Sequence, residues 1–593
     1  MKIVFDKFLK VISAFLMPVK KNLCFFIFIY VLGLITIFVE VQTLHFKIPR
    51  FNFLSLIFDI YILCLLLMVI PGRSRPFARA IVSGIAYILA IINAFCVEHF
   101  YARIGPEILN VVLETNPRES SEFVNKYITL DVMWSGVGLI VFLMIIHILS
   151  ARIHIEKKNY SFLHRYSIPI QLCFSLLLLV SFYLCSYSRI KVVKLLFAST
   201  AEEADLLISN FSQNTPFNNL LFSLKMREIA NDGLTILADT QDNVKVDGCS
   251  YLSDNIILII GESYIKGHAQ LYGYDKNTTP RQVSRTVLSE KGCLVPFSDI
   301  ISPSNLTSVV FKNVFSLHSL DEKSDWAHYP LFPVLFRKAG YQVFFITNQF
   351  VQALSTDIFN LSGGLFLNHS KLNSVQFDHR NTMTHRYDID LLEDYDSLKQ
   401  YQGNYNLIIF HLAGQHIDFD KRSPKEYKVF NILDYKRRKD INESEKQLVA
   451  DYDNATYYND FVVDSIIRRF EDDNAIVIYM PDHGEECFDE THRMGRVPTN
   501  NYSPEILRQE YCIPFWIWCS KTYIDNHQEL FAQIENSKTR PFMTDDLSHL
   551  LLYLAGIRCE YYSEKRNLIS PSFDVNRKRM VNGKCDYDST IVK

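Results

Sequence analysis

The sequence predicts two joined architectures: an N-terminal bundle of five transmembrane helices, then an α/β domain with a mostly parallel sheet covered by helices on both faces. Three observations lead there. Hydrophobic residues make up 49% of the 593 and mean hydropathy is +0.05, yet nearly all the excess lies before residue 190. Five early segments are apolar over the length that crosses a bilayer, about 20 residues. Beyond them, short and wholly apolar runs alternate with helical periodicity, the pattern of strands buried on both faces.

The five segments are residues 24–41, 53–70, 80–97, 130–149 and 168–187. Five in succession, separated by short charged loops, read as spans rather than buried helices of one soluble core. The first does not read as a cleavable signal peptide, because no small-residue cleavage site follows it and further spans do. Basic residues orient the bundle. Lys2, Lys7, Lys10, Lys20 and Lys21 precede the first span, Arg73, Arg75 and Arg79 follow the second, and Arg152, Lys157, Lys158 and Arg165 follow the fourth. These regions share one side, with Lys47 and Arg50 a small count against. An odd number of spans then puts everything after residue 190 on the non-cytoplasmic side.

The expected domains are therefore an anchor at 1–190, an amphipathic connector at 191–254 and an exported domain at 255–593. The connector shows helical periodicity through Val192–Phe211, then polar turn chemistry. In the exported part the expected strands are Ile256–Ile260, Gln342–Thr347, Asn406–His411, Ala475–Met480 and Phe515–Trp518. Helical patterns cover Leu306–Leu317, Pro330–Lys338, Glu443–Asp472 and Asp545–Leu554. A sheet of this kind carries its site outside the C-terminal ends of its strands.

Charge excludes one class of partner. Sixty-one basic residues against 64 acidic ones give −3, so no basic field points to nucleic acid. Binding phosphate would require local cations or a metal. Of the twelve cysteines, five lie in the anchor, where Cys acts as a small hydrophobe. The seven exported ones show no CxxC or zinc-finger spacing, and the expectation is buried thiols with at most one or two bridges.

Two strand ends carry the chemistry. Glu262 follows the first strand in Ile260-Gly261-Glu262-Ser263, and Asp482-His483 follow another in Pro481-Asp482-His483-Gly484-Glu485. Two carboxylates and an imidazole at one sheet edge can converge on a cation, and O and N donors suit zinc or manganese better than calcium. Either carboxylate could instead cap a helix. A nucleophile should lie nearby, and the segment Ile301–Ser308 reads as a loop entering a helix, where an N-terminus favours incoming phosphate. Periodicity does not distinguish Thr307 from Ser304 or Ser308, and capping is the alternative role for each.

The runs Asn255–Ser263 and Leu271–Pro280, with Asp299–Pro303, His411–His416 and Pro481–Glu486, resemble bacterial phosphoethanolamine transferases of the alkaline phosphatase and sulfatase superfamily. The resemblance spans the anchor architecture and most of the exported domain. It implies an alkaline-phosphatase-like fold, zinc in preference to manganese, and transfer of phosphoethanolamine from phosphatidylethanolamine to lipopolysaccharide, lipid A or another envelope glycan. It also implies a bacterial inner-membrane protein, among membrane lipids, with its catalytic domain in the periplasm. By resemblance, Glu262, Thr307, Asp482 and His483 are the metal ligands and Thr307 the nucleophile. His416 contacts the phosphoryl group or a leaving oxygen, with His492 as its partner. Glu485 orients His483 or touches substrate, and Asn305 is a further substrate-binding candidate. Before the fourth span, Glu114-Thr115-Asn116 and Glu119 resemble a head-group-binding segment, of which Thr115 and Glu119 are the named contacts.

Departures refine the branch. Pro303 and Asn313 stand where the lipid A enzymes of colistin resistance carry a cysteine pair, and Ile265 and Gly267 replace their Arg and Asp. The run Glu262-Ser-Tyr-Ile-Lys-Gly-His looks closer to the core-heptose branch. A phosphoglycerol transferase of the lipoteichoic-acid type is the nearest rival, against which the run Gly-Tyr-x-x-x-Thr-Thr-Pro speaks. Cys293-Leu-Val-Pro does not fit a formylglycine sulfatase. A non-catalytic membrane-tethered receptor is the third reading, opposed by the retention of all four ligand positions.

Overall fold

A computed structural model gives the fold. It describes residues 2–44, 52–100, 103–105, 109, 129–150, 167–198, 207, 216–351, 365–496 and 502–591. The described residues up to Asn231 form one compact unit and those from Asp232 onward a second.

In the first unit the apolar segments are helices α1 (Leu23–Leu44), α2 (Asn52–Val69), α3 (Arg75–Phe100), α4 (Gly136–Ser150) and α5 (Ser167–Leu195). Three contain stretches long and apolar enough to cross a membrane: Leu23–Thr43, Arg75–Phe100 and Ile168–Ser186. The other two apolar stretches, Phe53–Val69 and Gly136–Ser150, are shorter. The fourth segment is shortened because Leu130–Trp134 winds as a separate 3₁₀ turn and Ser135 is extended. At about 1.5 Å per residue the remaining fifteen residues rise roughly 22 Å, against about 30 Å of hydrocarbon.

The connector differs from expectation. Where polar turn chemistry was predicted, helix α6 (Pro216–Asn243) forms. Its sequence is polar overall, but Leu234, Leu237 and Ala238 recur at helical spacing and are buried in the second unit's core with Val244. Packing, not propensity, decides this segment.

The second unit is built on a seven-stranded sheet of β1 (Asn255–Gly261), β2 (Cys293–Phe297), β3 (Gln342–Thr347), β4 (His379–Arg380), β5 (Asn406–His411), β6 (Ala475–Pro481) and β7 (Phe515–Cys519), in the order β2-β7-β6-β1-β5-β3-β4. The sheet is mixed. Pairings from β6 through β4 are parallel, while β7 runs antiparallel to both β6 and β2. Edge strand β2 tolerates Pro296, which has no N–H to give a ladder.

Alternation along β1 sends Ile256, Leu258 and Ile260 to one face and Ile257 and Ile259 to the other. The first face packs on α7 (Thr307–Phe315), α8 (Phe332–Ala339) and α10 (Leu547–Ala555), through Phe311, Phe336 and Leu551 among others. The second packs on α9 (Glu443–Arg468), through Val462, Val463 and Ile466. Both faces are apolar, so between their first and last residues β1, β3 and β5 carry no polar side chains. The first polar groups therefore appear at the strand ends.

Candidate metal centre

Strand register brings the first two groups together. In the parallel pair β1–β6, Gly261 stands opposite Pro481, so the next residues, Glu262 and Asp482, emerge side by side. The Asp482 N–H donates to the Gly261 carbonyl at 3.0 Å, and the Tyr264 N–H to the His483 carbonyl at 2.8 Å. Between them Ser263 adopts φ +53°, a left-handed conformation that a residue with a side chain holds only where its surroundings enforce it. Its N–H donates to Asp482 Oδ1 at 3.0 Å and its hydroxyl to Glu262 Oε1 at 2.8 Å.

Glu262, Asp482 and His483 are fully buried, and one donor atom from each lies within 4.8 Å of the others. His483 Nδ1 faces the Gly484 carbonyl at 2.8 Å. A carbonyl only accepts, so Nδ1 carries a proton, and once Nε2 is unprotonated its lone pair aims inward. That Nε2 stands 2.9 Å from Asp482 Oδ2 and 3.3 Å from Glu262 Oε1. Apart from that imidazole nitrogen, the buried Asp482 Oδ2 has no hydrogen-bond partner. An orphaned carboxylate oxygen beside an imidazole lone pair is the donor set a divalent cation requires, and the residues fit one.

Electrostatics agree. Burial pushes Asp482 up, and the neighbouring Glu262 carboxylate adds to it. Burial opposes ionisation of Glu262 too, but His483 outweighs it and holds the carboxyl well below its usual value. Burial and Arg496 disfavour a charged His483, yet Asp482 and Glu262 raise it to about 9. The cluster thus calls for positive charge, supplied by a proton on His483 or by an ion.

Thr307 is the first residue of α7, whose N-terminus has no side-chain cap. Its Oγ1 stands 3.3 Å from Glu262 Oε2 and 3.4 Å from His483 Nε2. Ser304, one of the alternatives, is buried and accepts from the Leu306 N–H at 3.3 Å. Ser308 makes no hydrogen bond to the cluster among the described residues. Of the three hydroxyls, that of Thr307 alone reaches the cluster among the described residues. Gly484 is demanded by close approach, since a Cβ there would meet the Gln509 carbonyl oxygen at 2.2 Å.

The remaining predicted residues divide. His416 is half-buried beside the cluster. Burial drives its imidazole down to about 3 despite the pull of Glu262, so it is neutral. Asn305 is buried and donates to Glu510 Oε2 at 2.6 Å. Glu485 does not orient His483, whose Nδ1 is taken by backbone. It lies beside Arg496 at 3.5 Å, with Oε1 buried and unpartnered, and burial raises it to about 7. His492 is exposed, in the loop closed by the Cys487–Met494 bridge. No contact joins it to the cluster among the described residues. Thr115 and Glu119, with Glu114 and Asn116, lie outside the described residues.

Two groups in the site were not foreseen. Gln349, just past β3, donates to Glu262 Oε2 at 3.1 Å and to the Leu412 carbonyl at 2.8 Å. Its only sequence signal is placement after an apolar strand, the rule that found Glu262. Arg496 reaches within 3.9 Å of Glu262 Oε1, and no spacing announced it.

The sulfatase family profile matches residues 254–557. The phosphoethanolamine transferase EptC of Escherichia coli K12 is 25% identical over 533 residues, covering 88% of this chain and 87% of its own. Among solved structures, the integral membrane protein lipooligosaccharide phosphoethanolamine transferase A of Neisseria meningitidis shares the fold. It has TM-score 0.60 at 15% identity, covering 92% of this chain and 98% of its own. The periplasmic domain of E. coli EptC in complex with Zn aligns with TM-score 0.49 at 26% identity, covering 58% and 96%.

Proposed function

The chain belongs to the sulfatase family, and from that premise we propose that it transfers phosphoethanolamine from phosphatidylethanolamine to a cell-envelope glycolipid, the lipopolysaccharide core or lipid A, through phospho-Thr307. One observation carries the reading: a helix-initiating hydroxyl stands 3.3–3.4 Å from two members of a buried Glu/Asp/His cluster. The near-full-length similarity to a phosphoethanolamine transferase supports the group transferred.

Glu262, Asp482 and His483, with Thr307, would hold zinc, in keeping with two carboxylates and an imidazole. When bound, the ion supplies a Lewis acid that favours the ionised hydroxyl and offsets charge on phosphoryl oxygens. The residues of the chain do the rest. Thr307 attacks phosphorus, the P–O bond to diacylglycerol breaks, and the proton lost by Thr307 ends on the diacylglycerol oxygen. An acceptor hydroxyl or phosphate then attacks phospho-Thr307 and restores the free threonine. The open N–H groups of α7 favour the anion, and neutral His416 can hydrogen-bond the leaving or entering oxygen. His492 is assigned no role.

In the same reading all five apolar helices cross the inner membrane, with 1–190 as anchor, 191–254 as connector and 255–593 as the periplasmic catalytic domain. A lipid donor requires chemistry at the bilayer surface, which the anchor supplies. Cysteine-accessibility labelling of residues 151–166 from the periplasm would refute the five-span topology.

The test is Thr307→Ala in the full-length protein, supplied with phosphatidylethanolamine vesicles. Wild type should yield a phosphorylated Thr307 peptide by mass spectrometry, whereas the variant should yield none and release no diacylglycerol. Undiminished transfer by the variant would sink the assignment.

A further inference from the structure

Arg496 arrives at the centre by a specific route. After His483 the chain forms the isolated bridge Cys487–Met494, and Gly495 at φ +102° turns it inward, its N–H donating to the Glu486 carbonyl at 2.9 Å. The Arg496 side chain then spans three groups. Nη1 donates to the Asn305 carbonyl at 2.6 Å, Nε faces Glu485 Oε2 at 3.5 Å, and Nη2 lies 3.9 Å from Glu262 Oε1. The first two contacts anchor the guanidinium. The third is beyond hydrogen-bond length, so Nη2 projects toward the cluster without an acceptor among the described residues.

We propose that Arg496 is a catalytic residue that clamps the phosphoryl oxygens during transfer to and from Thr307. The proposal rests on the phospho-threonine reading above. Asn305 lies two residues before Thr307, so the anchored guanidinium and the uncapped N-terminus of α7 belong to one short segment. A phosphoryl group on Thr307 Oγ1 can meet backbone N–H groups from α7 and charged N–H groups from Arg496. A planar guanidinium fork held at Nε and Nη1 presents the two N–H groups of Nη2 to phosphoryl oxygens in a fixed plane, which a lysine ammonium cannot do. The step balances without a further reactant: the Thr307 O–P bond forms, the donor P–O bond breaks, the Thr307 proton passes to diacylglycerol, and Arg496 keeps all its protons. Glu485 acts through Arg496 and is a positioning residue.

The experiment uses full-length protein in phosphatidylethanolamine vesicles, with Arg496→Lys and Arg496→Met beside wild type. Three quantities are followed: phospho-Thr307 formation by mass spectrometry, bound zinc by elemental analysis, and melting temperature. The expected result is zinc content at the wild-type level with phospho-Thr307 formation slowed about 10²–10³-fold in Arg496→Met. Arg496→Lys, which keeps the charge beside Glu262 and Glu485, should fold and still lose at least tenfold. Wild-type rates in Arg496→Lys overturn the fork, and loss of zinc in step with rate in either variant makes Arg496 a structural counter-ion and overturns the proposal. If wild type itself forms no phospho-Thr307, it is the phospho-threonine reading that fails, an outcome visible in the control.

Discussion

Nε2 of His483 stands 2.9 Å from Oδ2 of Asp482, the neighbouring residue, while the opposite ring nitrogen is tied to the Gly484 carbonyl. The backbone thus fixes the tautomer, and two adjacent side chains present lone pairs to one point. Asp482→Asn should therefore weaken zinc binding by roughly 100-fold or more, since even groups that only orient ligands cost 10–100-fold. Competition against a chromophoric chelator measures this, and unchanged affinity would remove Asp482 from the donor set.

Ser263 holds both carboxylates, by its N–H to Asp482 and its hydroxyl to Glu262. Ser263→Ala keeps the first bond and deletes the second. Zinc affinity should fall about tenfold, with a stability loss near 1 kcal/mol. A stability loss with no change in affinity would limit Ser263 to a structural part.

Gly484 leaves no room for a side chain against the Gln509 carbonyl. Gly484→Ala should cost about 1–3 kcal/mol through forced backbone movement. It should also lower zinc occupancy, because the Gly484 carbonyl orients His483. Normal occupancy at a normal melting temperature would show that the turn yields freely.

His268 is buried between Asp453, 2.5 Å from Nδ1, and Asp489, 3.0 Å from Nε2. Tyr274 and Tyr435 also bond Asp453, and Arg438 bonds Asp489. Burial alone would strip its proton, but the carboxylates overcome it and raise the pKa to about 10. A folded pKa above the ordinary value near 6.5 gives stability that is fully present below pH 6.5 and lost as pH rises through 10. The expected slope in that window is about 1.4 kcal/mol per pH unit. Melting temperature followed from pH 6.5 to 10 should fall in wild type and much less in His268→Gln. Parallel curves would refute the charged pairing.

Much of the fold was legible in the sequence because the central strands are dry on both faces. Gln342–Thr347 and Asn406–His411 form as the apolar runs predict, and Ile256–Ile260, Ala475–Met480 and Phe515–Trp518 each extend by one or two residues. Edge strand β2 was not foreseen, since Pro296 breaks the pattern of a strand. The helix at 216–243 was hidden because its few apolar residues gain meaning only against a core contributed by distant segments.

The site was legible in part for the same reason. The sequence by itself determined that Glu262 and Asp482-His483 end apolar strands, because a strand buried on both faces can place polar groups only beyond its end. Tertiary structure alone decided that these ends are neighbours, through the register of Gly261 against Pro481. It also set Thr307, not Ser304, against Glu262, at the first residue of α7. And it brought in Gln349 and Arg496 while leaving His492 outside, since which loop residue turns inward depends on the bridge at Cys487–Met494 and the left-handed turn at Gly495. Those are relations between segments, and local periodicity holds no record of them.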